Sequence, residues 1–450
     1  MPSVVRPWLF LAVAFVARAA DSVVLVSAPT RYDEGWAKVV AALETAHTAK
    51  VLVFRASPAE QQEELRRLQP RFVTWVARPE ELGPKAAVVM HRLARENDGD
   101  PYEDFQWGVV TGLDAAQALK LAAPGQPLTI RTVGAGTSFA MECVEKGYWF
   151  SEFKAGESWE KAAGGAPREV AGPKDSTAQI VARLNEGNTD LFITSGHATE
   201  HDWQPGYRYR NGTFGHKDGV ILGKALDGTV HRLDASNPKV YLPIGNCLMG
   251  KVPGGDCMAL SWMASGGVRQ MVGYVQPTWF GYAGWGVLDY FVEQPGRFNL
   301  NQAWLANHQA LLWRLQEVAA GRVSAGDRRG LEFDRDMTIF YGDPHWDARM
   351  APGPLRWHET LTTLTLATLT SGEVEWIITP AAGARTFVAV DTNGSQRGGR
   401  PLVAFLPRHA AGWEVVGPSP AIAADDFVLL PHPGPDAPVP ARIVVRLRRR

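Results

Sequence analysis

From Ser22 to about Ala122 the apolar positions switch between two periods. SVVLVSA, KVLVFRA and RFVTWVA are short β-branched runs and read as buried strands. Between them, EGWAKVVAALETAH, SPAEQQEELRRLQ and PKAAVVMHRLARE read as amphipathic helices. Ser57-Pro58 followed by an acidic turn is a good helix start. QWGVVTG and LDAAQALKLAA close this unit. Strands separated by helices of this length predict parallel pairing through right-handed crossovers.

A second run of the same kind follows. LTIRTVGAG reads as a strand ending in glycines, and DSTAQIVARLNEG as a helix with an aspartate or serine cap and a glycine stop. DLFITSG and KVYLPIG read as buried strands, MALSWMASGG as a helix, VRQMVGYV as a strand, and Leu300 to Ala320 as a long helix. From His201 to Lys239 the chain turns polar and glycine-rich. There RNGT and LDGT are turn signals, and the stretch predicts loops and short hairpins. After Pro352 the helical period disappears. ETLTTLTLATL, VEWIITP, TFVAVDTNG, PLVAFLP, FVLLPHP and ARIVVRLR are separated by turn residues, the pattern of a small Ig-like β-sandwich. The expected division is residues 1–19 as a signal peptide, 20–125 and 126–350 as two α/β subdomains, and 351–450 as the sandwich.

Composition narrows the function. Across 450 residues, 46 Lys plus Arg nearly cancel 47 Asp plus Glu, so no strong field points to nucleic acid or an anionic membrane. Arg6, the apolar run Trp8–Ala17 and Ala17-Arg18-Ala19 fit a cleavable secretory signal and imply a secreted or periplasmic protein. The apolar run is too short to span a bilayer comfortably, and no later stretch resembles a transmembrane span. The three cysteines, Cys143, Cys247 and Cys257, are too few for a disulfide framework. If a bridge forms, Cys143–Cys257 is the pairing that spares Cys247.

The chemistry gathers at two strand ends. LFITSG delivers His197 and KVYLPIGN delivers Cys247, as an α/β protein presents reactive groups at the carboxyl edge of its sheet. A thiol and an imidazole on neighbouring strand ends form a nucleophile–base pair. Asn246 and the glycines around it predict an exposed turn at the cysteine. Trp262, Trp279 and Trp285 are candidate walls of an apolar cleft, with core packing as the alternative. Asp98, Asp100, Glu103 and Asp104 could hold a structural Ca²⁺ or stand as a solvated acidic loop. Asp343 reads as a turn former.

These segments resemble the gingipain-like cysteine peptidases, relatives of caspases and legumains. GHATEHDW resembles the family's Gly-His-Gly-Ser-Glu-Thr-Ala-Trp segment and matches it at Gly196, His197, Glu200 and Trp203. YLPIGNC resembles the strand ending at the family's cysteine. ENDGDPYEDFQWG resembles the acidic, aromatic turn before a Gly-Arg strand, with Val109 in place of the arginine. FYGDP (Phe340 to Pro344) resembles the turn that closes the catalytic domain. The matches follow the expected order across about 330 residues. The resemblance implies a caspase-like α/β/α sandwich with mainly parallel sheets and an endopeptidase acting through an acyl-enzyme. In it Cys247 is the nucleophile and His197 the acid/base. The backbone N–H groups of Ala198 and Cys247 hold the oxyanion, and Gly196, Glu200, Trp203 and Asn246 support the site. The partner would be a protein or peptide substrate, and the chemical step needs no metal or organic cofactor.

The chain departs from the pattern in two places. Ala198 stands where glycine is usual, and a positive φ there would cost an alanine something glycine does not pay. No carboxylate stands near Gly134, where related enzymes carry the acid that orients the histidine. Glu142 and Glu145 lie in roughly the region where a carboxylate would select Arg or Lys before the cut. Two other readings share these residues. His197-Ala-Thr-Glu200-His201 spells H-x-x-E-H, a zinc-peptidase motif that requires a helix. A degenerate, exported binding or scaffold protein could keep the same fold.

Overall fold

The computed structural model describes residues 21–355, 357–363, 372–381, 398–407, 412–431 and 440–450. The expected signal segment lies outside them. The protein is α/β, built on one twelve-stranded sheet. Its order is Lys50–Phe54, Ser22–Ser27, Phe72–Val76, Gln106–Val110, Thr338–Tyr341, Val268–Tyr274, Lys239–Asn246, Leu191–Gly196, Thr132–Ala135, Lys146–Phe150, Glu157–Lys161 and Arg168–Ala171. Neighbours are parallel except at three places: Val268–Tyr274 against Thr338–Tyr341, and the two pairings of the closing meander.

The predicted alternation in the first unit is present. Asp33 caps the helix Glu34–His47, and Ser57 with Glu60 forms a reciprocal capping box before Gln62–Leu68. The strands Ser22–Ser27, Leu191–Gly196 and Lys239–Asn246 are buried almost throughout, as parallel strands covered on both faces must be. LTIRTVGAG, by contrast, is broken in two. Leu128–Ile130 pairs with Ala348–Met350 in a separate ribbon, while Thr132–Ala135 enters the main sheet. The break falls at Arg131, whose backbone N–H is taken by the Asp190 carboxylate at 2.8 Å.

Thr338–Tyr341 joins the two α/β halves, lying parallel to Gln106–Val110 and antiparallel to Val268–Tyr274. The join requires glycine, because a side chain on Gly108 would meet the Gly342 carbonyl at 2.5 Å. Asp343 does more than form a turn. It accepts from His47 Nε2 at 2.8 Å and lies 3.1 Å from His345 Nδ1, tying the turn to the first long helix. Burial opposes its charge, but these two imidazoles hold its carboxyl well below the usual range.

After Pro352, small antiparallel sheets follow. Trp357–Thr363, Val374–Pro380, Ile443–Arg449 and Trp413–Val416 form one, and Leu402–Phe405, Phe427–Leu430 and Ile422–Ala424 the other. Trp376, Val445, Leu402 and Val428 share a core between them. The alternate residues Val403, Phe405, Phe427 and Leu429 face the other way and join the α/β core. Arg400, 1% exposed, also enters that core. Its guanidinium lies 3.7 Å from the Tyr282 ring centroid, donates to Asn307 Oδ1 at 2.9 Å and to the Tyr282 carbonyl at 2.8 Å, and faces Asp289 at 3.4 Å. No described helix is long and apolar enough to cross a membrane.

Beside the join, His91, Glu103 and His308 are fully buried. His91 Nε2–H donates to the Thr338 carbonyl at 2.8 Å and Nδ1 faces Glu103 at 2.6 Å. Burial pushes His308 down to about 4. The unfolded chain takes up that proton near ~6.5, so the folded state loses stability as pH falls from there towards 4. The loss should amount to roughly 1–3 kcal/mol. Denaturant midpoints measured between pH 7 and 4.5 should fall, and His308→Gln should flatten that slope.

Candidate functional site

Strands Leu191–Gly196 and Lys239–Asn246 pair in parallel with a built-in irregularity. Ile193 faces Leu242 and Ser195 faces Gly245, so Pro243 and Ile244 together oppose Thr194 alone. Proline has no N–H for the ladder and fits a bulge of this kind. The register then sets Gly196 beside Asn246. The next residues, His197 and Cys247, therefore leave adjacent strands, about 4.8 Å apart, at the same edge.

Asn246 locks that register. Its Nδ2 donates to the Gly196 carbonyl at 2.9 Å, and its Oδ1 accepts from Thr194 Oγ1 at 2.6 Å. It is fully buried rather than part of an exposed turn, because both ends of its amide are spent across the strands. Gly196 has φ +97°, and a side chain on it would meet the Gln204 carbonyl at 2.7 Å. Just past the cysteine, Leu248 holds φ +58°, a sparsely populated conformation for a branched side chain.

His197 and Cys247 line one cleft of about 370 Å³ with Tyr207, Thr278, Trp279 and Trp285. His197 is exposed and Cys247 half-buried. The Tyr207 ring lies 4.9 Å from the imidazole. The Cys247 thiol donates to the Thr278 carbonyl at 3.6 Å. Burial pushes the thiol up, against the opposing effect of that bond, so the resting sulfur is a neutral S–H. Ala198 needs no positive φ, since Gly196 carries the turn. It bridges to Trp203 through the His197 carbonyl and the Thr199 N–H. That arrangement leaves the N–H of Ala198 itself outside the bridge.

The site also contains an acid that the sequence reading missed. Glu152, 1% exposed, follows the strand Lys146–Phe150. One of its oxygens lies 3.8 Å from where a Gly196 side chain would begin, and the other accepts from Thr137 Oγ1 at 2.5 Å. Its carbonyl accepts from the N–H groups of Tyr207 and Arg208 at 2.7 and 3.1 Å, which anchors the loop that sets the tilted Tyr207 ring against His197. Near Gly134 the Tyr148 ring fills the space instead. The only sequence signal for Glu152 was a lone acid within the aromatic run YWFSEF.

The other candidates separate. Glu200 pairs with Lys251 at 2.5 Å; burial opposes its charge, but that bond holds it below its ordinary value. Trp203 is fully buried, donates to the Ser195 carbonyl at 2.7 Å and packs on Phe214 beneath the site. HATEH forms no helix, so the zinc geometry of H-x-x-E-H is not built; His201 Nδ1 lies instead 3.2 Å from His216 Nε2. Trp279 and Trp285 line the cleft, whereas Trp262 is core beside Tyr241. Glu142 and Glu145 do not line it, and Glu145 pairs with Arg131 at 2.7 Å. None of Cys143, Cys247 and Cys257 is in a disulfide, so the Cys143–Cys257 bridge is not formed. Of the acidic cluster, Asp98 and Asp104 meet Asp425, while Glu103 turns inward to His91. Burial and the neighbouring carboxylates hold Asp104 and Asp425 above the ordinary carboxylate range. LDGT makes a hairpin turn as expected, whereas RNGT does not: the Asn211 side chain is held by Ser176 and Tyr209, and the other hairpin turns at Asp218-Gly219.

The chain matches no family profile, no curated protein and no solved structure. Asn246→Ala should destabilise the fold by about 1–3 kcal/mol through the unmet Gly196 carbonyl and Thr194 hydroxyl. Urea unfolding measures this, and an unchanged midpoint would show that the amide does not lock the register.

Proposed function

We propose that the protein is a cysteine endopeptidase of caspase-like architecture, similar to the gingipain-like enzymes. The observation that carries the reading is the shared cleft: Cys247 and His197 leave register-locked neighbouring strands and line it together. Because the resting thiol is neutral, His197 acts as a general base. It takes the Cys247 proton as sulfur attacks the peptide carbonyl, then returns it to the leaving amine. The N–H groups of Ala198 and Cys247 receive the developing oxyanion, where one donor is typically worth about a hundredfold or more in rate. In this reading Glu152, buried beside Gly196, supplies the acid that orients the imidazole. Water then hydrolyses the thioester.

Among the described residues none that lines the cleft is a carboxylate, and Tyr207, Trp279, Phe280 and Trp285 supply aromatic wall. The substrate class is therefore peptides with an uncharged, apolar residue before the cut. Arg and Lys would find no counter-charge there.

One observation favours the binding-protein reading: the thiol is directed at the Thr278 carbonyl and pushed up by burial. Peptidyl chloromethyl ketones ending in Phe, Leu or Arg separate the two. The proposal expects the Phe and Leu reagents to alkylate Cys247 alone and the Arg reagent to react poorly. His197→Ala should slow labelling by about 10²–10⁴. Labelling that ignores His197, or falls only on Cys143 or Cys257, would leave the binding role.

A further inference from the structure

Two short stretches, residues 151–154 and 207–210, build the rim of the cleft on the His197 side. Both are pinned through the backbone. Ser151 Oγ accepts from the N–H groups of Phe153 and Lys154 at 3.2 and 3.1 Å. The Glu152 carbonyl holds the N–H groups of Tyr207 and Arg208, and Tyr209 Oη donates to the Ser151 carbonyl at 2.8 Å. The turn is tight, since a side chain on Gly206 would meet the Tyr209 carbonyl at 2.5 Å. Tyr207 is thereby set between His197 and Phe153, its ring centroid 4.9 Å from the imidazole and 6.0 Å from the phenyl ring.

This rim carries three cations. Arg208, Arg210 and Lys154 are exposed and make no ion pair among the described residues. The Arg208 guanidinium lies over the Phe153 ring, 4.7 Å from its centroid. That contact steadies the cation and leaves its fork of N–H groups to solvent. The acid in the same stretch, Glu152, is 1% exposed and sits beside Gly196 instead. Like charges presented on one rim without a counter-charge repel one another and favour a carboxylate arriving from outside. The chain has a formal net charge of −1, so the feature is local and not a general basicity.

What this rim does follows from the chemistry beside it, and so rests on the peptidase reading. His197 returns its proton to the leaving amine, so the residues after the cut run out past the imidazole and Tyr207. We propose that the rim is the subsite for this leaving segment, and that Arg208, Arg210 and Lys154 take a carboxylate carried on it. An acidic side chain and the substrate's own C-terminus offer the same chemistry there. The preferred substrate is therefore two-sided, with an apolar residue before the cut and negative charge after it.

Internally quenched peptides of the form Ala-Ala-Phe-Ala-X-X amide, with X as Glu, Gln or Lys, test it on the full chain. A fourth peptide is the Gln form with a free C-terminal carboxylate. At low ionic strength kcat/KM should favour Glu over Gln by about fivefold or more, with Lys poorest, and about 0.5 M salt should compress the series. Arg208→Gln and Lys154→Gln, both at exposed positions, should each narrow the Glu-to-Gln ratio by about two- to threefold. Arg208→Glu should lift the Lys peptide relative to the Glu peptide. A Glu preference supports the rim with a side chain as the source, and a matching gain from the free C-terminus supports it with a chain end. A Glu-to-Gln ratio near one with no gain from the free terminus, or preferences that these substitutions leave alone, would overturn the proposal. Failure of the peptidase reading is distinct: no peptide is cut, or Cys247→Ala cuts as well as the parent. Fluorescence anisotropy of labelled peptides on Cys247→Ala then decides, since the same preference for a carboxylate must appear in binding and its absence sinks the rim.

Discussion

The Asn246 amide is the interaction on which the site depends. Parallel strands tolerate slippage unless something fixes their offset, and a one-residue slip turns every side chain to the other face. Here the bulge at Pro243 adds one residue to one strand, and the amide of Asn246 pins the result to Gly196 and Thr194. His197 and Cys247 follow directly from that register. Gly196 takes the positive φ at this strand end, so Ala198 does not need one.

The cleft wall is held from a distance. Thr278 to Gly281 lead into the helix Tyr282–Phe291, whose carbonyl, ring and carboxylate groups grip Arg400 from the C-terminal region. A buried arginine is tolerated only where its charge and donors are met, and here Asp289, Asn307 and the Tyr282 carbonyl meet them. The cleft-lining Trp285 thus sits on a helix held in part by Arg400, and Trp279 lies just before that helix. The α/β halves are joined as firmly, through Thr338–Tyr341 and the buried His91–Glu103 pair.

Much of this was legible in the sequence where burial is two-sided or periodic. LFITSG and KVYLPIGN announced themselves as β-branched runs ending at glycine, and the first unit as alternating periods. Other elements were not. YAGWGVLDYF is buried on every side, so it has no amphipathic stripe to reveal a helix. TIFY is four residues long and gains its identity only from the two strands it joins. KGYWF, ESWEK and REVA form a meander at the sheet edge, half polar and short. Glu152 was missed for that reason, because the strand that places it was not seen. Asp425 meeting Asp98, and Arg400 meeting Asp289, are long-range pairings with no local signature.

The most direct test is a cross-link between the two strand ends. In His197→Cys, mild oxidation should join position 197 to the Cys247 sulfur within one chain, since a disulfide spans Cα atoms roughly 4.4–6.8 Å apart. Peptide mass mapping should find that linked pair in high yield, with Cys143 and Cys257 still reduced. Failure to form it, with both thiols free to react with alkylating reagent, would contradict the register and the site built on it.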